Sequence, residues 1–499
     1  MKKCYGGIDS LLERSNTHTM GCYFSQRYIF AIMAHLGVLL TYALRVNISV
    51  ALVAMVSTNS TNSDKKSSNP ECHSGKNTTS SLNNGEFHWN ENDQGLILAS
   101  FFYGYLLTQL PGGFLANKFG GKYVFGFGML VASIFSLLTP IAAKTNFYLL
   151  IAARVLMGIG EGVTLPALHA LISQWSPPAD RSKFVGYTFS GTNTGTILSL
   201  PISSLLAGST FLGGWPSVFY VFGTLGIVWF FLWLFLVFNN PNEHPYIREA
   251  ERNFLNKNQP VYSLEVKNMT VPWFSIFSSL HVWAILIAHF SNNWVWYMVL
   301  TGLPKYFKDV LDFKLTENGF LSALPFIAAF IVSIFIGWFS DFIRKKKCTT
   351  TFTRRFISAI GFYPSAVFLI LASYSSCSNI AWSVSCMVLA TAFLAFNGSG
   401  YLVNHLDISP RFGGILMGLS NTLGTVAGCI TPSVTGYFTN GDPSSKNYRS
   451  VFFIAAAICL FGGTFFIAFL SGEVQPWNNV NDEIYKNSRF LEEQEKEKK

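Results

Sequence analysis

A few charged side chains lie inside otherwise apolar stretches of this 499-residue chain, and these are the residues best suited to chemistry. Arg45 lies in the first such stretch, and Arg154 and Glu161 lie in the fourth. A charge at the centre of a bilayer costs at least about 2.5–3.5 kcal/mol on insertion scales. A guanidinium stays charged at any relevant pH and binds a carboxylate or phosphate through two parallel hydrogen bonds. Arg45 is therefore predicted either to anchor an anion or to pair with an acid on another helix.

The fourth stretch combines three ionisable groups at helical spacing. Seven residues separate Arg154 from Glu161, which leaves them about 20° apart on one helix face with a rise of about 10.5 Å. Both can therefore border one cavity. Glu161 is predicted either to take up and release a proton or to form a fixed ion pair with Arg154. His169, eight residues further on, is predicted to act as a gate or proton relay, or to be a packing residue.

Other polar groups in apolar stretches have less specific predictions. Asn292 and Asn293 can offer hydrogen bonds to a hydroxyl or amide of a bound molecule. His35 and His289 have apolar neighbours and are interpreted as packing or cavity-wall residues. The eight cysteines are widely spaced without a C-x-x-C pair, which predicts no metal site. No catalytic triad or nucleotide motif is found, so an enzyme is not expected, and neither is a cofactor.

Twelve long apolar runs must position these residues. Half of the residues are hydrophobic and only 12% are charged, against about 25% charged in soluble domains. Each run is long enough for a helix that spans a bilayer, which needs about 20 residues. The fold class is therefore an all-α polytopic membrane protein with twelve transmembrane helices. The runs are 28–56, 94–116, 123–143, 147–174, 184–207, 217–238, 281–302, 316–339, 355–374, 380–403, 412–437 and 449–471.

Polar segments divide these runs six and six. The predicted units are an N-terminal tail 1–27, a bundle 28–238, a middle loop 239–280, a second bundle 281–471 and a C-terminal tail 472–499. With the N-terminus in the cytoplasm, cytoplasmic segments hold 24 Lys and Arg and the opposite side holds nine. This bias predicts that both termini and the middle loop are cytoplasmic. The loop 57–93 then faces a lumen or the exterior, where Asn59 and Asn77 lie in glycosylation sequons.

Two loop motifs indicate an internal repeat. The segment from Gly113 to Lys122 and the segment from Gly337 to Lys346 lie 224 residues apart, after the second and eighth runs. Each has a glycine, a polar residue four positions later and then basic residues. Such repeats in the same direction are typical of a duplicated six-helix unit. The motif residues singled out as gate elements are Asn117, Lys118, Asp341 and Arg344.

These motifs resemble the G-x-L-A-D-R-x-G-R-K signature of the major facilitator superfamily. Longer stretches resemble its anion:cation symporter branch, which contains the sialins, the vesicular glutamate transporters and the type I sodium–phosphate transporters. Two short stretches, 288–291 and 317–322, are most similar to the sialins. The stretches that carry the branch resemblance are 42–51, 160–169, 175–182 and 404–410.

The resemblance implies two six-helix bundles that transport small organic anions by alternating access. The expected cargo is sialic acid or another acidic sugar, or an acidic amino acid, with Arg45 as its anchor and Glu161 as the proton-coupling residue. The alternative is a sodium-dependent phosphate or organic anion cotransporter at the plasma membrane. A channel or a receptor without transport is a third hypothesis. The chain departs from its relatives at Asn117, Met157 and Asn292, so their cargo and coupling do not transfer directly.

The remaining expectations concern gating, location and partners. Asp407 and Arg411, at the cytoplasmic end of the tenth run, are predicted to form a gate ion pair. The resemblance implies a lysosomal or other acidic vesicle membrane, with the plasma membrane as the alternative. The expected partners are an organic anion and the lipid bilayer, with protons or alternatively sodium as the coupling ion. A monomer is expected, and a nucleic-acid partner is not.

Overall fold

The computed structural model describes residues 25–57, 85–176, 181–257, 271–345, 348–374 and 379–478. Within these ranges nine helices are long and apolar enough to cross a membrane. Three further segments run alongside them, so twelve transmembrane segments, α1–α12, account for the predicted fold class. They are α1 Gln26–Met55, α2 Glu91–Phe119, α3 Gly121–Thr145, α4 Phe147–Gly162 with Thr164–Trp175, α5 Arg181–Phe189 with Gly191–Ala207, α6 Pro216–Leu236, α7 Leu280–Tyr297 with Met298–Gly302 and Leu303–Asp309, α8 Leu315–Lys345, α9 Thr350–Ser373, α10 Ile380–Leu394 with Ala395–Ser399 and Tyr401–Ile408, α11 Gly413–Thr439 and α12 Ser445–Phe469.

The helices pack as two bundles with the same internal arrangement. In the first bundle α1 packs on α5, α2 on α4 and α3 on α6; in the second α7 packs on α11, α8 on α10 and α9 on α12. The two bundles meet along two seams, α2 against α11 and α5 against α8. Each contact in one bundle has its counterpart six helices later. The architecture is therefore two six-helix bundles related by a repeat, as the sequence predicts.

Prolines determine where two helices break. Pro166 has no N–H for the carbonyl of Gly162 and its ring clashes with that carbonyl, and α4 is interrupted at Val163. In α7, Pro304 likewise follows the π-helical turn Met298–Gly302. The break in α4 comes two residues after Glu161, and the hydroxyl of Thr164 donates to the Glu161 carbonyl at 2.6 Å. Glu161 thus lies at the end of a helix segment, in the middle of a transmembrane span.

An ion pair and a hydrogen bond join the bundles at the end that carries the loop 57–93, the predicted lumenal end. Lys305 near the end of α7 forms an ion pair with Glu91 at the start of α2. The hydroxyl of Ser204 in α5 donates to the carbonyl of Leu315 at the start of α8. Gly319 in α8 approaches the same serine so closely that an added Cβ would lie 2.2 Å from its Cβ. These contacts close the predicted lumenal end.

The middle loop has structure that the sequence interpretation did not include. It contains the helices Glu249–Lys257 and Trp273–Ser278. The Glu251 carboxylate accepts hydrogen bonds from the N–H groups of Gln26 and Arg27, at 3.2 and 3.1 Å, and from the Ser25 hydroxyl. A carboxylate is favourable at a helix N-terminus, where unpaired N–H groups point outward. The first of these helices is therefore fixed to the start of α1.

Several predicted residues fall outside what the structure describes. Asn59 and Asn77 lie in the segment 58–84, so the glycosylation prediction stays a prediction. The backbones of Asn117, Asp341 and Arg344 lie in α2 and α8, but their side chains are not among the described ones. The gate role assigned to these three residues is accordingly untested.

Candidate functional site

Arg45 and Glu161 form a buried ion pair between α1 and α4. The Arg45 Nη2 and Nε atoms donate to the same carboxylate oxygen, Glu161 Oε2, at 3.1 and 3.3 Å. The exposed fractions of the two side chains are 2% and 0%. Sequence reasoning placed Arg45 opposite either an anion or an acid on another helix, and the structure realises the second arrangement in this conformation. The guanidinium, bonded to a single oxygen, retains donors for a second acceptor.

Aromatic rings surround the guanidinium of Arg45. Its central carbon lies 4.6 Å from the ring centre of Tyr42, 4.9 Å from that of Phe101 and 4.4 Å from that of Tyr105. A cation over an aromatic face is stabilised by the ring quadrupole, by about 2 kcal/mol or more when water is excluded. The contact of Tyr42 with Arg45 is predictable from the sequence, because residues three apart on a helix share a face. The α2 rings depend on helix packing and were not predicted.

Arg154 contacts the same Phe101 ring, with its guanidinium carbon 5.3 Å from the ring centre. Its Nη1 donates to the Met157 sulfur at 3.5 Å, and its Nε has no hydrogen-bond partner among the described residues. The second carboxylate oxygen of Glu161, Oε1, is also buried without a described partner. A weak sulfur acceptor leaves the Arg154 charge poorly compensated. The fixed Arg154–Glu161 pair considered from the sequence is not the arrangement seen, because Glu161 bonds Arg45 instead.

Two cations and one carboxylate give this cluster a net charge of +1 in a buried setting. A narrow cavity beside it is lined by both arginines, by Leu98 and Phe102 of α2, and by Leu300 and Thr301 of α7. The cavity therefore lies between the two bundles. Its volume is about 10 Å³, scarcely room for one water molecule. A larger ligand can reach these arginines only in another arrangement of the bundles.

His169 lies in the second segment of α4, beyond the break that follows Glu161. Its side chain is exposed, and its ring centre is 4.6 Å from that of Phe189 on α5. It lies between the buried carboxylate and the predicted cytoplasmic end, and its relay or gate role stays a prediction. The ring contact with Phe189 is equally consistent with the packing role, so both predictions for His169 stay open.

The two predicted asparagines lie on α7 and do not line the cavity that both arginines line. The Asn292 side-chain oxygen accepts a hydrogen bond from Asn397 of α10 at 3.1 Å. Asn293 lies so close to Gly424 of α11 that an added Cβ there would lie 2.6 Å from Nδ2. Both side chains are half-buried. The structure thus places them inside the second bundle and not beside the small cavity that Arg45 lines.

The acidic residue of the predicted gate pair bonds a different cation. Arg354 of α9 donates to both carboxylate oxygens of Asp407, at 2.7 and 3.3 Å, and also to the Ser399 carbonyl and the Ser340 hydroxyl. Arg411, the predicted partner, donates its backbone N–H to Asn478 at 3.2 Å. Arg354 was missed because the predicted ninth run begins at residue 355, whereas α9 begins at Thr350. The pair ties α8, α9 and α10 together.

Lys118 is the one motif residue of the four whose side chain is described. It is exposed near the end of α2, with its Nζ 5.3 Å from the ring centre of Phe119. The neighbouring turn depends on Gly120, whose φ of +90° is unfavourable for other residues. Asn239 bonds the N–H of Lys122 at 2.9 Å and so connects this turn to the end of α6.

Comparisons with known proteins agree with this architecture. The sequence model of the Major Facilitator Superfamily matches residues 34–432. Sialin of Homo sapiens is 42% identical over 456 residues, covering 91% of both chains. Vesicular glutamate transporter 2 of Homo sapiens is 36% identical over 474 residues, covering 94% of this chain and 78% of that protein.

The fold is also similar to solved structures. The crystal structure of a bacterial homolog of the human lysosomal transporter Spinster, inward-facing and unoccupied, superposes with a TM-score of 0.68. It covers 90% of this chain and 99% of that one at 15% identity, which shows the shared fold alone. Together these matches identify a multi-pass membrane transporter and not an enzyme. The chain belongs to the major facilitator superfamily, in the anion-transporter branch that includes sialin and the vesicular glutamate transporters.

Proposed function

We propose that this protein transports small organic anions together with protons by alternating access, with Arg45 as the cargo anchor and Glu161 as the proton-coupling residue. The observation that carries the proposal is the buried ion pair between these residues, beside a second arginine whose charge is poorly compensated. Acidic sugars such as sialic acid are the first candidate cargo, and acidic amino acids are the second. The names of sialin and vesicular glutamate transporter 2 support this range.

The charge of the cluster links the proton to the anion. With Glu161 ionised the cluster carries +1, and with Glu161 protonated it carries +2. Protonation also releases the Arg45 donors that the carboxylate occupied, so an anion is then bound more strongly. Because linkage is reciprocal, a bound anion must equally favour protonation of Glu161. Proton and anion therefore prefer the same state, which symport requires.

Movement of the bundles supplies the second part of the mechanism. The described conformation is closed at the predicted lumenal end, and no space for cargo remains beside Arg45. Opening that end would admit cargo and proton from an acidic compartment, and its closure would accompany release on the other side. His169, exposed and eight residues beyond Glu161, would carry the proton toward the cytoplasm. The proposed location is accordingly a lysosomal or similar acidic membrane.

Uptake into proteoliposomes under an imposed pH gradient tests the proposal. The panel contains N-acetylneuraminate, glucuronate, glutamate and inorganic phosphate, each measured at two pH values with sodium or choline outside. We expect accumulation of an organic anion that follows the pH gradient and ignores the replacement of sodium. Accumulation that needs sodium and ignores pH would instead support the cotransporter alternative.

Two substitutions separate the assigned roles. Arg45→Ala should abolish uptake, and Arg45→Lys, which retains the charge but not the two-pronged donor, should restore only part of it. Glu161→Gln fixes a neutral side chain, so exchange of labelled for unlabelled cargo should persist while gradient-driven accumulation falls. Uptake that survives Arg45→Ala would reject the anchor assignment. Accumulation by Glu161→Gln equal to that of the unmodified protein would reject the coupling assignment.

A further inference from the structure

Two buried histidines on different helices share one serine hydroxyl in the second bundle. His289 of α7 places its Nδ1 3.0 Å from the Oγ of Ser420 on α11, and His405 of α10 places its Nε2 2.7 Å from the same atom. The two histidines are 4% and 2% exposed, and the serine is fully buried. Sequence reasoning interpreted His289 as a packing or cavity-wall residue and gave His405 no role. The shared hydroxyl makes them one hydrogen-bonded unit.

The hydrogen positions in this unit follow from its neighbours. His405 Nδ1 lies 2.9 Å from the Leu402 carbonyl, which can only accept, so this nitrogen carries a hydrogen. In the neutral ring Nε2 is then an acceptor. The Ser420 hydroxyl has two acceptors within reach, the Met417 carbonyl at 3.1 Å and His405 Nε2 at 2.7 Å, and we assign its hydrogen to the nearer one. The serine oxygen in turn accepts from the Nδ1–H of His289. Nε2 of His289 therefore carries no hydrogen, and it has no hydrogen-bond partner among the described residues.

We propose that His289, Ser420 and His405 form a second proton-binding site, which holds one proton shared between the two histidines. A proton enters at Nε2 of His289. The Nδ1 hydrogen of His289 then passes to the serine oxygen as the serine hydrogen passes to Nε2 of His405. One proton is gained, His405 becomes the imidazolium, and His289 is left neutral with its hydrogen on Nε2. Two imidazolium rings on one hydroxyl would repel each other, so the unit takes one proton and not two.

The groups facing the unit decide which atoms there can hold an added proton. The Tyr401 ring centre lies 5.2 Å from that of His289. Two residues after His405 on α10, Asp407 is neutralised by Arg354 at 2.7 Å. From α11, Gly424 packs against His289, and a Cβ added to this glycine would lie 2.9 Å from the His289 ring. Within the described residues no unpaired charge of α7, α10, α11 or α12 is placed against the imidazoles, so the unit itself is the basic site.

The position of Ser420 connects this site to the contact between the bundles. In the next two turns of α11, Thr422 and Thr425 lie 3.5 and 3.1 Å from the side chain of Gln109 on α2. A change of charge at Ser420 therefore occurs beside a seam that must shift when the bundles rock. A role in coupling rests on the proposed function, whereas proton binding by the histidine pair does not.

Histidine titration in the full-length protein tests the binding site directly. Protein with ¹⁵N-labelled imidazoles, reconstituted in lipid nanodiscs, is followed by NMR from pH 8 to pH 4, with His289→Gln and His405→Gln to assign the signals. We expect both rings to change together over one titration step, with the uptake of one proton. In Ser420→Ala the two rings should respond separately. Rings that titrate independently in the unmodified protein, or remain neutral throughout, would overturn the proposal.

Ser291→Ala is the matched control, because its buried hydroxyl lies on the same helix as His289 without a described hydrogen-bond partner. It should leave the shared titration unchanged. A shared titration lost equally in Ser291→Ala would show a general packing effect and overturn the assignment.

A second measurement tests the role in coupling. At one pH unit of gradient and zero membrane potential, each coupled proton contributes a tenfold accumulation of cargo at equilibrium. If the histidine pair carries one of them, His289→Gln lowers the limiting accumulation of N-acetylneuraminate tenfold, whereas a structural defect slows the approach to an unchanged limit. An unchanged limit with intact gradient dependence overturns the coupling role alone. If accumulation by the unmodified protein does not depend on the pH gradient at all, the proposed function itself is refuted.

Discussion

The ion pair between Lys305 and Glu91 should control how readily the predicted lumenal end opens. It joins the end of α7 to the start of α2 and so must break when the bundles separate there. The two side chains are only 12% and 17% exposed. For unit charges 4 Å apart, an effective dielectric of 20 gives about 4 kcal/mol of attraction. Desolvation offsets part of this, which leaves about 1–3 kcal/mol, or a factor of about 5–150 in the opening equilibrium.

Variants that remove, reverse or exchange the charges of Glu91 and Lys305 test this prediction. Glu91→Gln and Lys305→Gln should each shift the equilibrium toward the open form, and Glu91→Lys should shift it further because two cations then face each other. The exchange variant that combines Glu91→Lys with Lys305→Glu should restore closure. Double electron–electron resonance between spin labels at the exposed positions His88 and Glu317, in a background without native cysteines, measures the opening as a longer distance.

Rescue by the exchange variant is the decisive result, since a general loss of folding cannot be reversed by a second charge change. If all the variants give the distance distribution of the unmodified protein, the ion pair does not hold the two bundles together. The remaining contacts between α5 and α8 would then be sufficient for closure. Equal opening in the single and exchange variants would likewise refute an electrostatic origin.

Three further predictions concern stability and topology. Arg354→Met should destabilise the protein by about 3–5 kcal/mol, because it leaves Asp407 without its cation. Thermal unfolding in detergent measures this change, and a melting temperature equal to that of the unmodified protein would contradict it. Gly104→Ala should separate α2 from α4, because the added Cβ would lie 2.0 Å from a backbone oxygen. Gly113→Ala is the matched control, since a Cβ at that position meets nothing within 4 Å. Equal melting temperatures for the two variants would refute the packing argument. Glycan removal should increase electrophoretic mobility, and the shift should disappear when both sequons of the loop 57–93 are removed; a shift that persists would place the glycan elsewhere.

The depth of the charged residues could be predicted, whereas their partners could not. A charge in a long apolar run is costly enough that Arg45, Arg154 and Glu161 could be identified from their positions in the sequence. Which of them pair depends on how α1 and α4 are rotated against each other, and sequence spacing does not specify this. Arg154 and Glu161 share a helix face but are about 10.5 Å apart along the axis. Arg45, from a neighbouring helix, reaches the carboxylate instead.

Polar contacts between distant segments were likewise beyond sequence reasoning. The Ser420 hydroxyl meets two histidines only because α7, α10 and α11 converge. The α4 break is different, since Pro166 was visible in a predicted apolar run and its missing N–H indicated an interruption. The helices were predicted from the length of the apolar runs and not from the prolines inside them, so the break in α4 was not predicted.

The interruption of α4 at Val163 has a mechanical consequence. A continuous helix transmits force along its axis and resists bending, whereas one with a missing backbone bond can pivot there at small energetic cost. Because the pivot comes two residues after Glu161, a change in the bond between this carboxylate and Arg45 acts at the point where the helix is weakest. Under the proposed proton coupling, protonation of Glu161 would therefore swing the following twelve-residue segment Thr164–Trp175, which carries the exposed His169.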